Sequence, residues 1–142
     1  MGNPITRDTS RGQLAILTFG QDAVAASQTD TDLPRPSAEE GGIVSSYIMP
    51  WQYDVVGVAF KLSAAASAGT LTIGVTKGGT EDTDTTLTVT TSAGTYKRVP
   101  RGACSGVAGD AIGAQITTDS NWNATTADLG VEVYVIVYLE GV

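Results

Sequence analysis

Histidine is missing altogether from this 142-residue sequence. With it go the commonest general base, the commonest zinc and copper ligand, and the side chain that changes charge near neutral pH. Cysteine occurs once, as Cys104, which excludes an intramolecular disulfide, a CxxC redox site and a thiolate metal cage. A cysteine nucleophile would need a histidine partner, so Cys104 reads as a small, semi-buried packing residue. Basic residues are few: eight Lys and Arg stand against fifteen Asp and Glu, a formal net charge of −7. Such a chain repels a phosphate backbone, so nucleic acid is not an expected partner. The local basic cluster Lys97, Arg98 and Arg101 reads as a solvated strand end. No apolar run approaches the roughly 20 residues of a membrane-spanning helix. The opening MGNPITRDTSRGQ lacks the apolar h-region of a secretory signal, so neither export nor membrane association is expected.

What is present is alternation. GTLTIGVTKGGTEDTDTTLTVTT, residues 69–91, puts apolar side chains on every second position, with Thr or Gly between them and a Gly-Gly turn in the middle. The same period-two pattern predicts strands at Ile43–Met49, Val55–Ser63, Thr70–Thr76, Thr86–Thr91, Tyr96–Val99, Ala111–Thr117 and Leu129–Glu140. The last is the plainest: Leu129, Val131, Val133, Val135, Val137 and Leu139 share one face. Val56, Val58, Phe60 and Leu62 form a second stripe. With a short strand near Leu14-Ala15-Ile16-Leu17, the count is about eight and no helix is secure. The expected fold is all-β, an eight-stranded antiparallel jelly-roll β-sandwich with an extended N-terminal arm. Residues 1–42 comprise the arm, the first short strand and a connector, and residues 43–142 the sandwich. The connector AVAASQTDTDLPRPSAEEGG, residues 23–42, has room for one helical turn at Ala23–Gln28. Its length suggests that it lies along a partner or a neighbouring subunit.

Candidate chemistry is sparse. Asp30-Thr31-Asp32 and Glu81-Asp82-Thr83-Asp84 place carboxylates on alternate residues, but lack the glycine and distal glutamate of an EF-hand loop. They read as charged loop tips that blunt strand edges. Trp51 and Trp122 are candidates for sugar stacking, and each reads more simply as a lid on one end of the core. Neither G-x-S-x-G, S-x-x-K nor a phosphate loop occurs. The expectation is a protein that is not an enzyme and needs no cofactor or metal.

Several short motifs recur in a characteristic order. Met49-Pro50 is followed by Val56-x-Val58-x-Phe60-x-Leu62, then Ala68-Gly69-Thr70-Leu71-Thr72, then Ala108-Gly109-Asp110-x-Ile112-Gly113. Thr117-Thr118 with Trp122, and Thr126-Ala127-Asp128-Leu129 before a Val-rich strand, complete the series. The series, from Ile48 to Leu139, resembles a β-sandwich module of tailed-bacteriophage structural proteins, among them the trimeric capsid decoration (cement) proteins. That resemblance implies a homotrimer made in the host cytoplasm and bound on the outer capsid surface. Its partners would be the major capsid protein and, through the N-terminal arm, neighbouring decoration subunits. It would stabilise the shell against internal DNA pressure. The arm residues expected to meet the capsid or neighbours are Ile5, Arg7, Arg11, Leu14 and Ile16. Independently, Tyr134, Ile136 and Tyr138 make the outer face of the last strand apolar between Glu132 and Glu140, as a subunit interface would be. The alternatives are a fibre or receptor-binding module recognising a host glycan through Trp122, and a carbohydrate- or calcium-binding β-domain.

Overall fold

A computed structural model describes residues 12–36 and 44–139. Ile5, Arg7 and Arg11 therefore lie outside the described residues. Among the described residues ten strands follow one another: β1 (Gln13–Gln21), β2 (Thr31–Asp32), β3 (Ser46–Ile48), β4 (Gln52–Leu62), β5 (Leu71–Lys77), β6 (Thr80–Val89), β7 (Gly94–Arg98), β8 (Ser105–Gly106), β9 (Ala111–Thr118) and β10 (Leu129–Tyr138). The two absent from the expected set, β2 and β8, are two residues long each, too short for any periodicity to show.

The strands form two five-stranded sheets. One runs β1-β10-β4-β7 with β8 also on β4, and the other β2-β9-β5-β6 with β3 also on β9. Every pairing is antiparallel, and the two inner faces bury one core between them. Alternation dictates which residues enter it. Val131, Val133 and Val135 of β10 are inaccessible, as are Leu71, Ile73 and Val75 of β5 and Ile112 and Ile116 of β9.

On β4 the stripe is interrupted. A register shift opposite Tyr134 and Val135 sets Val135 against Val55 and Val133 against Val58. The inward residues are accordingly Tyr53, Val55, Val58, Phe60 and Leu62. Val56, expected inside, is the half-buried bulge residue instead. A bulge inserts one residue and inverts the phase of everything before it.

Two further expectations change. Ala23–Gln28 forms no helical turn, and the described part of the connector lies on its own sandwich. Val24 and Leu33 are fully buried in the core, and Thr31 and Asp32 pair with Ile116 and Gln115. Positive φ at Ala23, Ser27 and Asp30 bends the segment so that both apolar side chains can turn inward. Glu81-Asp82-Thr83-Asp84 is not a loop tip but the first half of β6. The turn is shorter than the composition implies, because Gly78 and Gly79 make it alone.

Candidate functional site

The register of β1 against β10 brings together residues that the sequence left in separate groups. Leu14 lies opposite Ile136 and Ile16 opposite Tyr134. Cross-strand partners point to the same face, so all four project from the outer surface of the first sheet. Leu14 and Ile16 remain 59% and 48% exposed, while Tyr134 and Ile136 are half-buried. Across β4, Tyr134 faces Gly57, which has no side chain to screen it. On the far side of β4, Ala59 opposes Tyr96 of β7, another exposed aromatic. The apolar band is confined to β1 and β10: its rows continue into Asp54 opposite Ile136 and, past Gly57, into Arg98, while the row of Ala59 and Tyr96 carries Glu132. At its start Gly12 adopts φ +84, and a Cβ there would overlap Ile136 Cγ2, so the chain enters β1 pressed against this band.

Tyr138, the third expected interface residue, is engaged differently. Its hydroxyl donates to Asp54 Oδ2 at 2.5 Å and accepts from Arg101 Nε at 2.8 Å. Asp54 Oδ1 accepts from Ser105 Oγ, and Arg101 stands 3.8 Å from Asp54 Oδ2. Burial opposes the Asp54 charge, yet the hydroxyls of Ser105 and Tyr138 and the Arg101 guanidinium outweigh it and hold the carboxyl below its ordinary value. The same burial and the Asp54 bond push the Tyr138 phenol up. A carboxylate so held is a poor proton acceptor, so the cluster is a latch that fixes β8 and the preceding turn to the sheet. Its neighbour Tyr53, also shifted up by burial and by its bond to Asp110, latches the other side of β8.

Beside the apolar band, the β1–β3 flank of the sandwich is incompletely closed. Its upper part is bridged by Tyr47, whose hydroxyl donates to Thr18 O at 3.1 Å and whose ring meets Phe19 edge-on at 5.4 Å. The Arg35 guanidinium stacks on that ring at 4.0 Å. Below this bridge a groove of about 420 Å³ opens, lined by Leu14, Ala15, Tyr47, Ile48, Trp51 and Leu139 among others. Ile48 is 66% exposed. The opposite flank, between β6 and β7, is crossed by Lys97, whose Nζ donates to Thr86 O.

Trp122 is 2% exposed and donates from Nε1 to Val24 O. It is a lid on the core and offers no face for a sugar. Trp51 is partly exposed on the groove rim. Cys104 is buried more deeply than semi-buried, and burial together with Asp82 pushes its thiol up to about 12, so it stays protonated and unreactive. The two acidic stretches meet around Gln115: its amide donates to Glu81 Oε1 at 3.1 Å and to Asp30 Oδ1 at 3.4 Å. Thr86 Oγ1 donates to Glu81 Oε2. Among the described residues, no group of three or more acidic or thiol side chains is disposed to hold a metal ion.

No family model matches the chain, and no curated protein matches it. Among solved structures it is similar to the capsid asymmetric unit of cyanophage Pam1, at 14% identity and a TM-score of 0.42 over 89% of this chain and 86% of that one. It is similar also to turnip yellow mosaic virus, at 11% identity and a TM-score of 0.35 over 89% and 93%. A third likeness is to the insecticidal delta-endotoxin Cry8Ea1 of Bacillus thuringiensis, at 13% identity and a TM-score of 0.38 over 88% of this chain and 24% of that one. At such TM-scores these likenesses decide no function. The chain is an all-β two-sheet sandwich with an apolar band on one outer face.

Proposed function

We propose that this chain is a phage head decoration (cement) protein, a homotrimer that binds the outer capsid surface and stabilises the shell against internal DNA pressure. The observation that carries the reading is the pairing of Leu14 with Ile136 and of Ile16 with Tyr134. It joins the foot of the N-terminal arm to the outer face of β10 in one apolar surface. On a chain with a net charge of −7, such a surface is stabilised by contact with protein rather than with water. The ordered motifs from Met49 to Leu129 support the same family. So does strand order: counted without the two-residue elements, β1-β10-β4-β7 faces β3-β9-β5-β6, the arrangement expected of a jelly roll. On this reading residues 1–12 are the arm, and Ile5, Arg7, Arg11, Leu14 and Ile16 are its contacts with the major capsid protein or a neighbouring decoration subunit. The protein acts by binding, without catalysis.

Electron microscopy of expanded, DNA-filled heads incubated with purified protein tests this. Density at the local threefold positions is expected, weakened when Met1–Gly12 are deleted. Bare heads, or occupancy indifferent to that deletion, would remove the capsid role or the arm's part in it.

A further inference from the structure

The free edge of β1 has features that natural edge strands avoid. Gln13–Gln21, QLAILTFGQ, contains no charged residue and no proline over nine residues, the usual devices that prevent edge-to-edge pairing. Its upper part is occupied: Thr18 O accepts from the Tyr47 hydroxyl and Gly20 N donates to Pro34 O. Backbone direction alternates along an antiparallel strand. The N–H and C=O groups of Leu14 and Ile16 therefore point the same way as those of Thr18 and Gly20, away from β10. Among the described residues no strand pairs with them. A strand added there would have one face over the groove at Ala15, Ile48 and Trp51 and the other beside the Leu14–Tyr134 band, so it must be apolar on both faces. MGNPITRDTSR, residues 1–11, carries Pro4 and three charges in Arg7, Asp8 and Arg11, and by composition suits that demand less well. β1 itself meets it, with Leu14 and Ile16 outward and Ala15 and Leu17 inward.

We propose that β1 of one copy pairs with β1 of a second copy, antiparallel, about a two-fold axis at Ala15. In this register Leu14 of each copy faces Ile16 of the other, exchanging about four hydrogen bonds in all. The two grooves merge, covering Ile48 and Trp51, and the first sheets join into one continuous sheet. The interface is isologous, so its lack of charge is self-complementary despite the acidic surface elsewhere. The pairing uses the strand edge and is independent of the threefold contact proposed at the outer face. The two can coexist when trimers meet edge to edge.

Sedimentation equilibrium, amide hydrogen exchange and a cysteine cross-link test it together. Ala15→Cys places two thiols in a non-hydrogen-bonded pair with Cα atoms about 4.5 Å apart, within the span of a disulfide. Under mild oxidation the variant is expected to form a covalent dimer, while Cys104 stays buried and unreacted. In the unmodified chain, the Leu14 and Ile16 amides should exchange slowly in concentrated protein and faster on dilution, as mass falls from dimer, or an even multiple, to the smaller species. Ile16→Lys, an exposed position that will not disturb the core, should abolish the concentration-dependent protection of the Leu14 amide; because Ile16 also borders the outer band, that protection, and not the mass alone, reads the edge pairing. A trimer whose Leu14 and Ile16 amides exchange alike at all dilutions, without cross-linking, overturns the pairing and leaves the threefold contact standing. A monomer overturns both. A monomer in which those amides are protected at every dilution also overturns the pairing, because a segment of the same chain then covers the edge.

Discussion

Single residues close this sandwich at its two ends. At one end Trp122 fills the space beneath Val24 and donates its indole N–H to Val24 O at 3.1 Å. Gly69 permits this: it holds φ +84, and any Cβ there would overlap the backbone of Trp122. Trp122→Ala removes both the packing and the bond, and should cost about 3–5 kcal/mol, read as a fall in the denaturant midpoint. At the other end the Asp54 latch makes stability pH-dependent. Its folded carboxyl titrates below the ordinary value, as do Asp110, chiefly through the Val107 N–H, and Asp119, where hydrogen bonds led by Thr70 outweigh burial. The unfolded chain therefore takes up protons first as pH falls. The stabilisation is complete above the unfolded carboxylate pKa of about 3.9 and is lost as pH drops through the lower folded values. Thermal midpoints should hold steady near neutrality and fall in that acid range, less steeply in Asp54→Asn. That variant should start from a lower midpoint.

At the scale of the element, the strands that alternate without interruption were legible and those that bulge were not. β10 and β9 could be placed almost to the residue, because each side chain faces the way its period demands. Local composition makes β6 look half loop, because Glu81 to Asp84 have the residues of a turn. What makes them a strand lies elsewhere in the chain. Gln115 and Thr86 hold the Glu81 carboxylate, and Thr85 repairs the register shift between Ile73 and Val75. Thr85 is fully buried. Its Oγ1 accepts from Val75 N at 2.9 Å and donates to Asp82 O at 2.6 Å, so a side chain replaces a missing ladder bond. Thr85→Val keeps the shape but strands the Val75 N–H, and should cost about 1–3 kcal/mol, with faster amide exchange at Val75 as its signature. The candidate site was legible in parts only. Tyr134 and Ile136 stand out in the sequence as apolar residues on a polar face, and Leu14 and Ile16 as members of a short apolar run. That they meet depends on β1 pairing with β10 across more than a hundred residues of intervening chain, and no local pattern encodes that register.

For the whole molecule, charge and shape work against each other. A net charge of −7 keeps copies apart at long range, while the outer band and the uncharged edge favour contact at short range. Salt near physiological strength shortens the reach of the repulsion to about 8 Å and leaves the apolar contact intact. Self-association should therefore strengthen from low to moderate salt, the reverse of a contact built on ion pairs, and sedimentation across a salt series would show it. The two flanks differ in the same spirit. Lys97 bridges β7 to Thr86, which gives that flank a polar, well-hydrated rim. The β1–β3 flank has Ile48 and Trp51 at its rim instead.

The contrasting positions of the two tryptophans also equip the protein with a pair of optical reporters. Trp122, shut inside, should emit in the blue until the chain unfolds. Trp51, 38% exposed on the groove, should emit further to the red and move toward the blue when anything settles over it. Titrating concentration and then denaturant would separate docking from melting in one unlabelled sample.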